Sequence, residues 1–245
     1  MDETSAEPLP SAGWAVEITG ERFDLDDLRE MLRKPFDPWV EDYHLQGTIR
    51  LLLRSNSWAT VADSSVVLED ARRLVTRING AKLVLQSDSL PVSLGELFNF
   101  RSDGTRLPIL IAATGHFKLS GFRMRGRATI ASAEPPPPPT QSPLQNWLHG
   151  ADTNNNHADL LEHLARADNW YDVYKSAEII RRIAKRGGGI RALLEPTQSS
   201  QWDRVWQMAN CMRHAPDPVK YPLPAIPPTI EEARTLLFLA ARVVL

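Results

Sequence analysis

The stretch SAEPPPPPTQSP, Ser132–Pro143, decides the predicted organisation of this 245-residue chain. Five consecutive prolines fix φ, remove backbone donors and favour an extended polyproline II segment. The segments on either side have an ordinary globular composition, so we interpret the tract as a spacer between two domains. The alternative interpretation is a proline-rich ligand for an aromatic groove of another protein.

The segment before the tract has alternating strand-like patterns. GWAVEITG at 13–20 repeats with period two, and YHLQGTIRLLLRS at 43–55 predicts paired strands that break at Gly47. LPILIAATGHFKLSGFRMRGRATIAS at 107–132 predicts the last strands of the sheet. We therefore predict an α+β domain over 13–133 with a mostly antiparallel sheet, a linker over 134–143 and an all-α domain over 144–245.

Two helices are predicted inside the first domain. FDLDDLREMLRK at 23–34 has leucines at helical spacing, with Asp24 as the expected N-cap. SSVVLEDARRLVTRING at 64–80 is predicted to stop at Asn79-Gly80 in a left-handed cap, because this dipeptide tolerates positive φ. The next residues, AKLVLQ at 81–86, then resemble a strand.

The segment after the tract has the 3.6-residue period of amphipathic helices. DNWYDVYKSAEIIRRIAKRGGG at 168–189 gives the strongest pattern, with a cap at Asp168 or Asn169 and three glycines at its end. SSQWDRVWQMANCMRH at 199–214 predicts a second helix, whose inward face includes Trp202 and Trp206. Thr229 is the expected cap of the last helix.

The composition limits the classes of protein to which this chain can belong. Hydrophobic residues make up 42% and charged residues 24%, so disorder of the whole chain is not expected. The net charge of -2 argues against a dedicated nucleic-acid-binding domain, although it leaves a local basic patch possible. One cysteine, no apolar run of membrane length and a polar N-terminal stretch without signal-peptide features predict a cytoplasmic protein.

The end of the helix at 199–214 is the first candidate site. Asn210, Arg213 and His214 lie within one turn, and an arginine beside a histidine has the chemistry for phosphodiester cleavage. The arginine would hold a phosphate and the histidine would transfer a proton. The alternative is structural, since cationic side chains in a last turn offset the helix dipole. Cys211 is interpreted as a structural thiol.

Two further clusters are candidate binding residues. The first is Tyr171, Asp172, Lys175 and Glu178, of which the last three follow one side of a helix; it predicts either a polar network toward Arg213 or His214, or a solvated ion-pair face. Arg123, Arg125 and Arg127 alternate along a predicted strand, where they would meet phosphates. A solvated sheet face, or an interface to acidic residues, is the alternative for these three arginines.

Metal and cofactor binding are not predicted. His157 and His163 are six residues apart, His149 lies outside their helix, and H-E-x-x-H and paired-cysteine motifs are missing. The sequence motifs of dinucleotide sites, phosphate loops and nucleophile elbows are also missing. The glycine-rich stretch KRGGGIR lacks the preceding strand that a phosphate loop requires. We therefore expect no cofactor.

The last 80 or so residues resemble a group of poorly characterised bacterial proteins. The stretches NWYDVYKSAEII, ANCMRHAPDP and TIEEARTLL are similar to the pattern W-Y-D-x-Y-K-x-x-E, then A-N…R-H, then prolines and a helix. The resemblance implies a helical C-terminal region. A looser similarity links Arg213 and His214 to helical HEPN nucleases, in which four to six residues separate the arginine and histidine, whereas here they are adjacent.

Three functional hypotheses follow from the sequence. The first is a non-catalytic interaction or assembly protein, with a protein partner or self-association, because no catalytic motif occurs and the charge is near neutral. The second is a nuclease-like enzyme that uses Arg213 and His214. The third is a small-ligand sensor in which the α+β domain signals to the helices.

Overall fold

The computed structural model describes residues 10–45, 47–107, 109, 138–213 and 220–245. The chain divides into two compact units, one made of Met1–Glu69 with Val92–Ser142 and the other of Asp70–Pro91 with Pro143–Leu245. Arg123, Arg125, Arg127 and His214 lie outside the described residues, as do most of the predicted strands at 107–132 and the first half of the predicted linker. The domain boundaries at 133 and 144 stay a prediction.

The N-terminal part of the chain is a five-stranded antiparallel sheet with helices. Its elements are β1 (Gly13–Thr19), α1 (Arg22–Met31), β2 (Trp39–Leu45), β3 (Thr48–Arg54), a 3₁₀ turn (Asn56–Trp58), α2 (Ser64–Leu85), β4 (Ser93–Phe100) and β5 (Arg106–Leu107). The strand order is β2-β3-β1-β4-β5, and every neighbouring pair is antiparallel. This confirms the mostly antiparallel sheet.

The register of the sheet places its apolar residues together. In β1, Val16 pairs with Leu53 of β3 on one side and with Leu97 of β4 on the other, and all three residues are buried. The predicted break at Gly47 is confirmed, because β2 and β3 form a hairpin in which this glycine has a φ of 77° that other residues rarely adopt. Strand β4 was not predicted, because Gly95 and the neighbouring pair Leu97-Phe98 interrupt its alternation.

The start of α1 differs from the predicted start. The N-cap position is Glu21, whose side chain makes no capping hydrogen bond, and Asp24 lies inside the first turn. The prediction of Asp24 as N-cap was therefore wrong. An acidic residue in the first turn still interacts favourably with the positive end of the helix dipole.

The helix α2 differs most from its prediction. It runs without a break through Asn79-Gly80 to Leu85, so both the predicted stop and the predicted strand at 81–86 were wrong. A Cβ atom at Gly80 would lie 1.9 Å from the backbone carbonyl oxygen of Leu161. The glycine is therefore explained by the close approach of two helices, which the local sequence does not reveal.

The C-terminal part of the chain consists mostly of helices. These are α3 (Pro143–Thr153), α4 (Asn155–Leu164), α5 (Trp170–Ala184), a 3₁₀ turn (Lys185–Gly187), α6 (Ile190–Leu193), α7 (Pro196–Arg213) and α8 (Ile230–Val244). Thr229 and Glu232 form a reciprocal capping box at the start of α8, which confirms the predicted cap. The main core of this unit combines α4, α5, α7 and α8 with Val84 of α2.

Candidate functional site

Helix α5 is fixed at its start by hydrogen bonds from its own sequence. The side chain of Asn169 accepts a hydrogen bond from the backbone N–H of Asp172 at 3.0 Å, which confirms Asn169 as one of the two expected caps. Beyond the cap, Val173, Ala177 and Ile180 are fully buried along one stripe. This stripe holds α5 against the core and fixes the direction of its remaining side chains.

Helices α5 and α7 each contribute one aromatic residue and one arginine, seven residues apart. On α5 these are Tyr174 and Arg181, and on α7 they are Trp206 and Arg213. Seven residues correspond to two turns, or about 10.5 Å along a helix axis. Tyr174 contacts Arg213 while Arg181 contacts Trp206, so the two helices run antiparallel across this contact.

The four side chains form a connected series, which we call the arginine–aromatic stack. The guanidinium carbon of Arg213 lies 4.3 Å from the ring centroid of Tyr174, and that of Arg181 lies 4.1 Å from Trp206. The two rings are stacked, with centroids 5.2 Å apart and an angle of 28° between their planes. Contacts at these distances give cation–π attraction between each guanidinium and its ring.

The stack has a buried base and exposed cationic ends. Tyr174 is 7% exposed, whereas Arg181 and Arg213 are exposed. Among the residues that the structure describes, neither arginine forms an ion pair with a carboxylate. Lys185 and Arg186 are also exposed just beyond the end of α5, where the negative end of the helix dipole favours cations.

The carboxyl group of Asp172, in the predicted polar row, is engaged at the junction of α4 and α5. Its Oδ1 is 2.7 Å from Nδ1 of His163 on α4, and its Oδ2 accepts from the Asn169 amide at 2.8 Å. Asp172 is therefore buried, and its membership of a binding site with Lys175 and Glu178 stays a prediction. The cap of α5 brings this carboxylate to Asn169 and His163.

Of the other residues in that row, Lys175 and Glu178 form an ion pair, and the aromatic ring of Tyr171 is exposed. Lys175 Nζ donates to Glu178 at 3.2 Å, and Arg182 donates to Asn156 of α4 at 3.2 Å. Tyr171 is 56% exposed and makes only an edge contact with His163 in the described structure.

The helix end that carries Arg213 is only partly described. Asn210 is half-buried on α7, Cys211 is buried with 3% of its surface exposed, and His214 lies outside the described residues. The proposed pairing of Arg213 with His214 in catalysis therefore stays a prediction. The structure instead places Arg213 on the ring of Tyr174.

The helical period of 199–214 predicted Trp206 on the inward face but did not indicate its contact with Arg181, nor that of Tyr174 with Arg213. One sequence signal was available, namely the same aromatic-to-arginine spacing of seven residues on two predicted helices. That spacing alone does not show that the two helices pack antiparallel with these turns in register. The tertiary arrangement supplies this information.

Comparison of the chain with protein-family models, curated proteins and solved structures found no match in any of the three. Among the described helices, none is long and apolar enough to cross a membrane. Within the same described ranges, no three His, Cys, Asp or Glu side chains gather into a set that could hold a metal ion.

Proposed function

We propose that this chain is a non-catalytic interaction protein whose helical unit contacts its partner through the arginine–aromatic stack. The observation that carries the proposal is the placement of Arg181 and Arg213, which lie on aromatic rings at 4.1 and 4.3 Å. Both are exposed, and among the described residues neither has a carboxylate partner.

The physical basis is preorganisation. Each guanidinium is held over a ring and, within the described structure, has no carboxylate bound to it, so its N–H groups remain available for the two oxygens of a carboxylate or phosphate. Because the ring already restricts the arginine side chain, binding loses less conformational entropy than it would with a freely rotating arginine. Arginine, tryptophan and tyrosine are also the residues that most often dominate the energy of protein interfaces.

The surroundings of the stack favour binding over catalysis. The titratable side chains described on α5 and at its start are already engaged, since Nδ1 of His163 contacts Asp172 and Lys175 pairs with Glu178. The contact between Arg213 and Tyr174 packs α7 against α5 and also holds the arginine in place for a partner. The nuclease-like function of Arg213 and His214 stays the alternative.

Affinity purification of the full chain with quantitative mass spectrometry tests the proposal. We expect the double variant Arg181→Ala/Arg213→Ala to recover its partners at least tenfold less well than the wild type, because interface arginines of this kind contribute about 2 kcal/mol or more each. The matched control is Arg191→Ala, which removes an exposed arginine of the same unit that is already paired with Asp203 at 2.8 Å.

The control should retain all partners of the wild type. Equal recovery by the wild type, the double variant and the control would contradict the proposal. Sedimentation velocity over a range of concentrations completes the test, because the partner can be a second copy of the chain. In that case the double variant sediments as a monomer where the wild type associates.

A cleavage assay separates the proposal from its alternative. We expect the pure protein to leave labelled RNA and DNA intact. Cleavage by the wild type that is lost in Arg213→Ala and His214→Ala, with circular dichroism showing that both variants fold, would establish the nuclease-like function instead.

A further inference from the structure

A second candidate site lies away from the arginine–aromatic stack, in a cavity of about 460 Å³ between α7 and α8. This volume falls within the range of roughly 300–1,000 Å³ that is usual for small-molecule sites. Every residue that lines the cavity belongs to the helical unit. The cavity is therefore formed within one compact part of the chain.

One side of the cavity is apolar. Val205 of α7 and Leu236 and Leu239 of α8 contribute aliphatic side chains to its lining. Val205 is 2% exposed and Leu236 is 5% exposed, so both are firmly held in the core from which the cavity opens. Burial of an apolar group of the size of a leucine or phenylalanine side chain against this surface lowers the free energy, because apolar area is removed from water.

The lining of the cavity also carries opposite charges, with a cation on one helix and anions on the other. Arg204 of α7 lines it, and within the described structure this residue donates no hydrogen bond to a carboxylate. Glu231 and Glu232 of α8 line it as well. The cavity therefore offers an anion-binding group and cation-binding groups around one apolar surface.

The two carboxylates keep binding capacity despite their local contacts. Glu232 uses Oε2 to accept from Thr229, and Glu231 uses Oε2 to accept from Arg234 at 3.0 Å. No described group donates to Oε1 of either residue. Hydrogen bonds from Thr229, and then the nearby charge of Arg204, hold the pKa of Glu232 below its usual value, so this group is ionised at neutral pH.

We propose that this cavity binds a small zwitterion with an apolar side chain, of the class of the apolar α-amino acids. The carboxylate of the ligand pairs with Arg204, its ammonium group pairs with Glu231 and Glu232, and its side chain covers Val205, Leu236 and Leu239. A purely anionic ligand meets two carboxylates, and a purely cationic ligand meets the positive charge of Arg204. A zwitterion satisfies both kinds of group.

Isothermal titration of the full chain with four probes tests the proposal. L-phenylalanine and L-leucine carry both charges, 3-phenylpropanoate lacks the ammonium group and phenethylamine lacks the carboxylate. We expect saturable 1:1 binding of at least one amino acid, with each one-charge analogue about tenfold weaker or more, because a lost charge-assisted hydrogen bond typically costs at least that factor. Failure of both amino acids to bind at millimolar concentration would overturn the proposal.

Three surface variants locate the binding. Arg204→Gln should abolish the preference for L-phenylalanine over phenethylamine, because it removes the partner of the carboxylate. Thr235→Leu should weaken binding of every probe, because Thr235 lines the cavity and a larger apolar side chain occupies part of it. Arg191→Gln, whose arginine does not line the cavity, should bind like the wild type.

Binding that is unchanged in both Arg204→Gln and Thr235→Leu would place the ligand elsewhere and overturn the assignment. Circular dichroism confirms that each variant is folded. The cavity and the arginine–aromatic stack use different side chains, so failure of one proposal leaves the other to be judged by its own experiment.

Discussion

At the scale of single residues, the ion pair between Arg54 and Glu41 is the most consequential contact of the sheet. The side chain of Arg54 is 2% exposed and donates to Glu41 at 2.6 and 2.9 Å. It also donates to the backbone carbonyls of Ser11, Gly13 and Trp14. One buried cation thus joins β2, β3, the start of β1 and Ser11, which precedes it.

We expect Glu41→Gln to destabilise the N-terminal unit by about 3 kcal/mol at neutral pH, because it leaves the buried Arg54 without its counter-charge. Burial raises the pKa of Glu41, but the charge of Arg54 and hydrogen bonds from Ser11 and Arg54 outweigh this effect and lower it. The contribution of Glu41 is therefore present above the usual glutamate pKa. It is lost as the pH falls through the lowered pKa of the folded state.

Hydrogen exchange of the β1 and β3 amides, measured for the wild type and Glu41→Gln from pH 7 to pH 3, checks this prediction. The difference in stability should shrink as the pH falls below about 5. Glu96→Gln is the matched control, because Glu96 also pairs with an arginine of the sheet but its side chain is 59% exposed. A control effect as large as that of Glu41→Gln, or a difference independent of pH, would contradict the interpretation.

At the scale of elements, helix α2 shows how packing overrides a local stop signal. Asn79-Gly80 has the composition of a helix end, yet α2 continues to Leu85. Residues beyond Gly80 gain more from tertiary contacts than the cap would provide, since Val84 is fully buried in the core of the helical unit. Arg242 of α8 also donates to the carbonyl oxygen of Leu85 at 2.9 Å, which satisfies a backbone group at the end of α2.

We expect Gly80→Ala to destabilise the helical unit by about 1–3 kcal/mol, although alanine is intrinsically the better helix former. The added Cβ would meet the Leu161 carbonyl oxygen, a backbone atom that cannot move without displacing α4. Thermal melting followed by circular dichroism measures the change.

Gly150→Ala is the matched control, because Gly150 lies within α3 and its added Cβ would meet only the His157 side chain, at 3.1 Å. The control should be close to neutral or stabilising, since a side chain can move aside and alanine favours the helix. If Gly80→Ala melted at or above the wild-type temperature, close helix packing would not be the reason for this glycine.

At the scale of the whole molecule, the helical unit is assembled from two separate stretches of chain. Asp70–Pro91 precedes β4 in sequence but belongs to the same compact unit as Pro143–Leu245. Three kinds of contact join them, namely the packing of Val84 in the core, the approach of Gly80 to Leu161 and the hydrogen bond from Arg77 to Glu162 at 2.9 Å. The unit is therefore incomplete without the earlier stretch.

We expect a fragment of residues 143–245 to lack a cooperative thermal transition, because it exposes the apolar surface that α2 covers. Addition of a synthetic peptide of residues 70–91 should restore helicity and the transition. Circular dichroism and tryptophan fluorescence follow both steps, and a scrambled peptide of the same composition is the control. A fragment that melts cooperatively without the peptide would show that α2 is dispensable for this unit.

The candidate site was predictable in part. Arg213 was singled out by its position at a helix end, but Arg181 was not. The contact of Arg213 with Tyr174, and that of Arg181 with Trp206, depend on which turns of α5 and α7 face each other. Long-range contacts of this kind are set by the packing of the whole unit, so a single helix pattern does not contain them.

What the sequence alone determined are the features that depend on neighbouring residues. The alternation of β1, the hairpin at Gly47, the Asn169 cap of α5 and the Thr229 cap of α8 all follow from contacts within a few positions. Only the tertiary structure decided the role of Gly80 and the pairing of β4 with β1. It also decided the contact of the Asp172 carboxylate with His163 and the arginine–aromatic stack. Local patterns record backbone preference and burial, whereas these features depend on which distant surfaces meet.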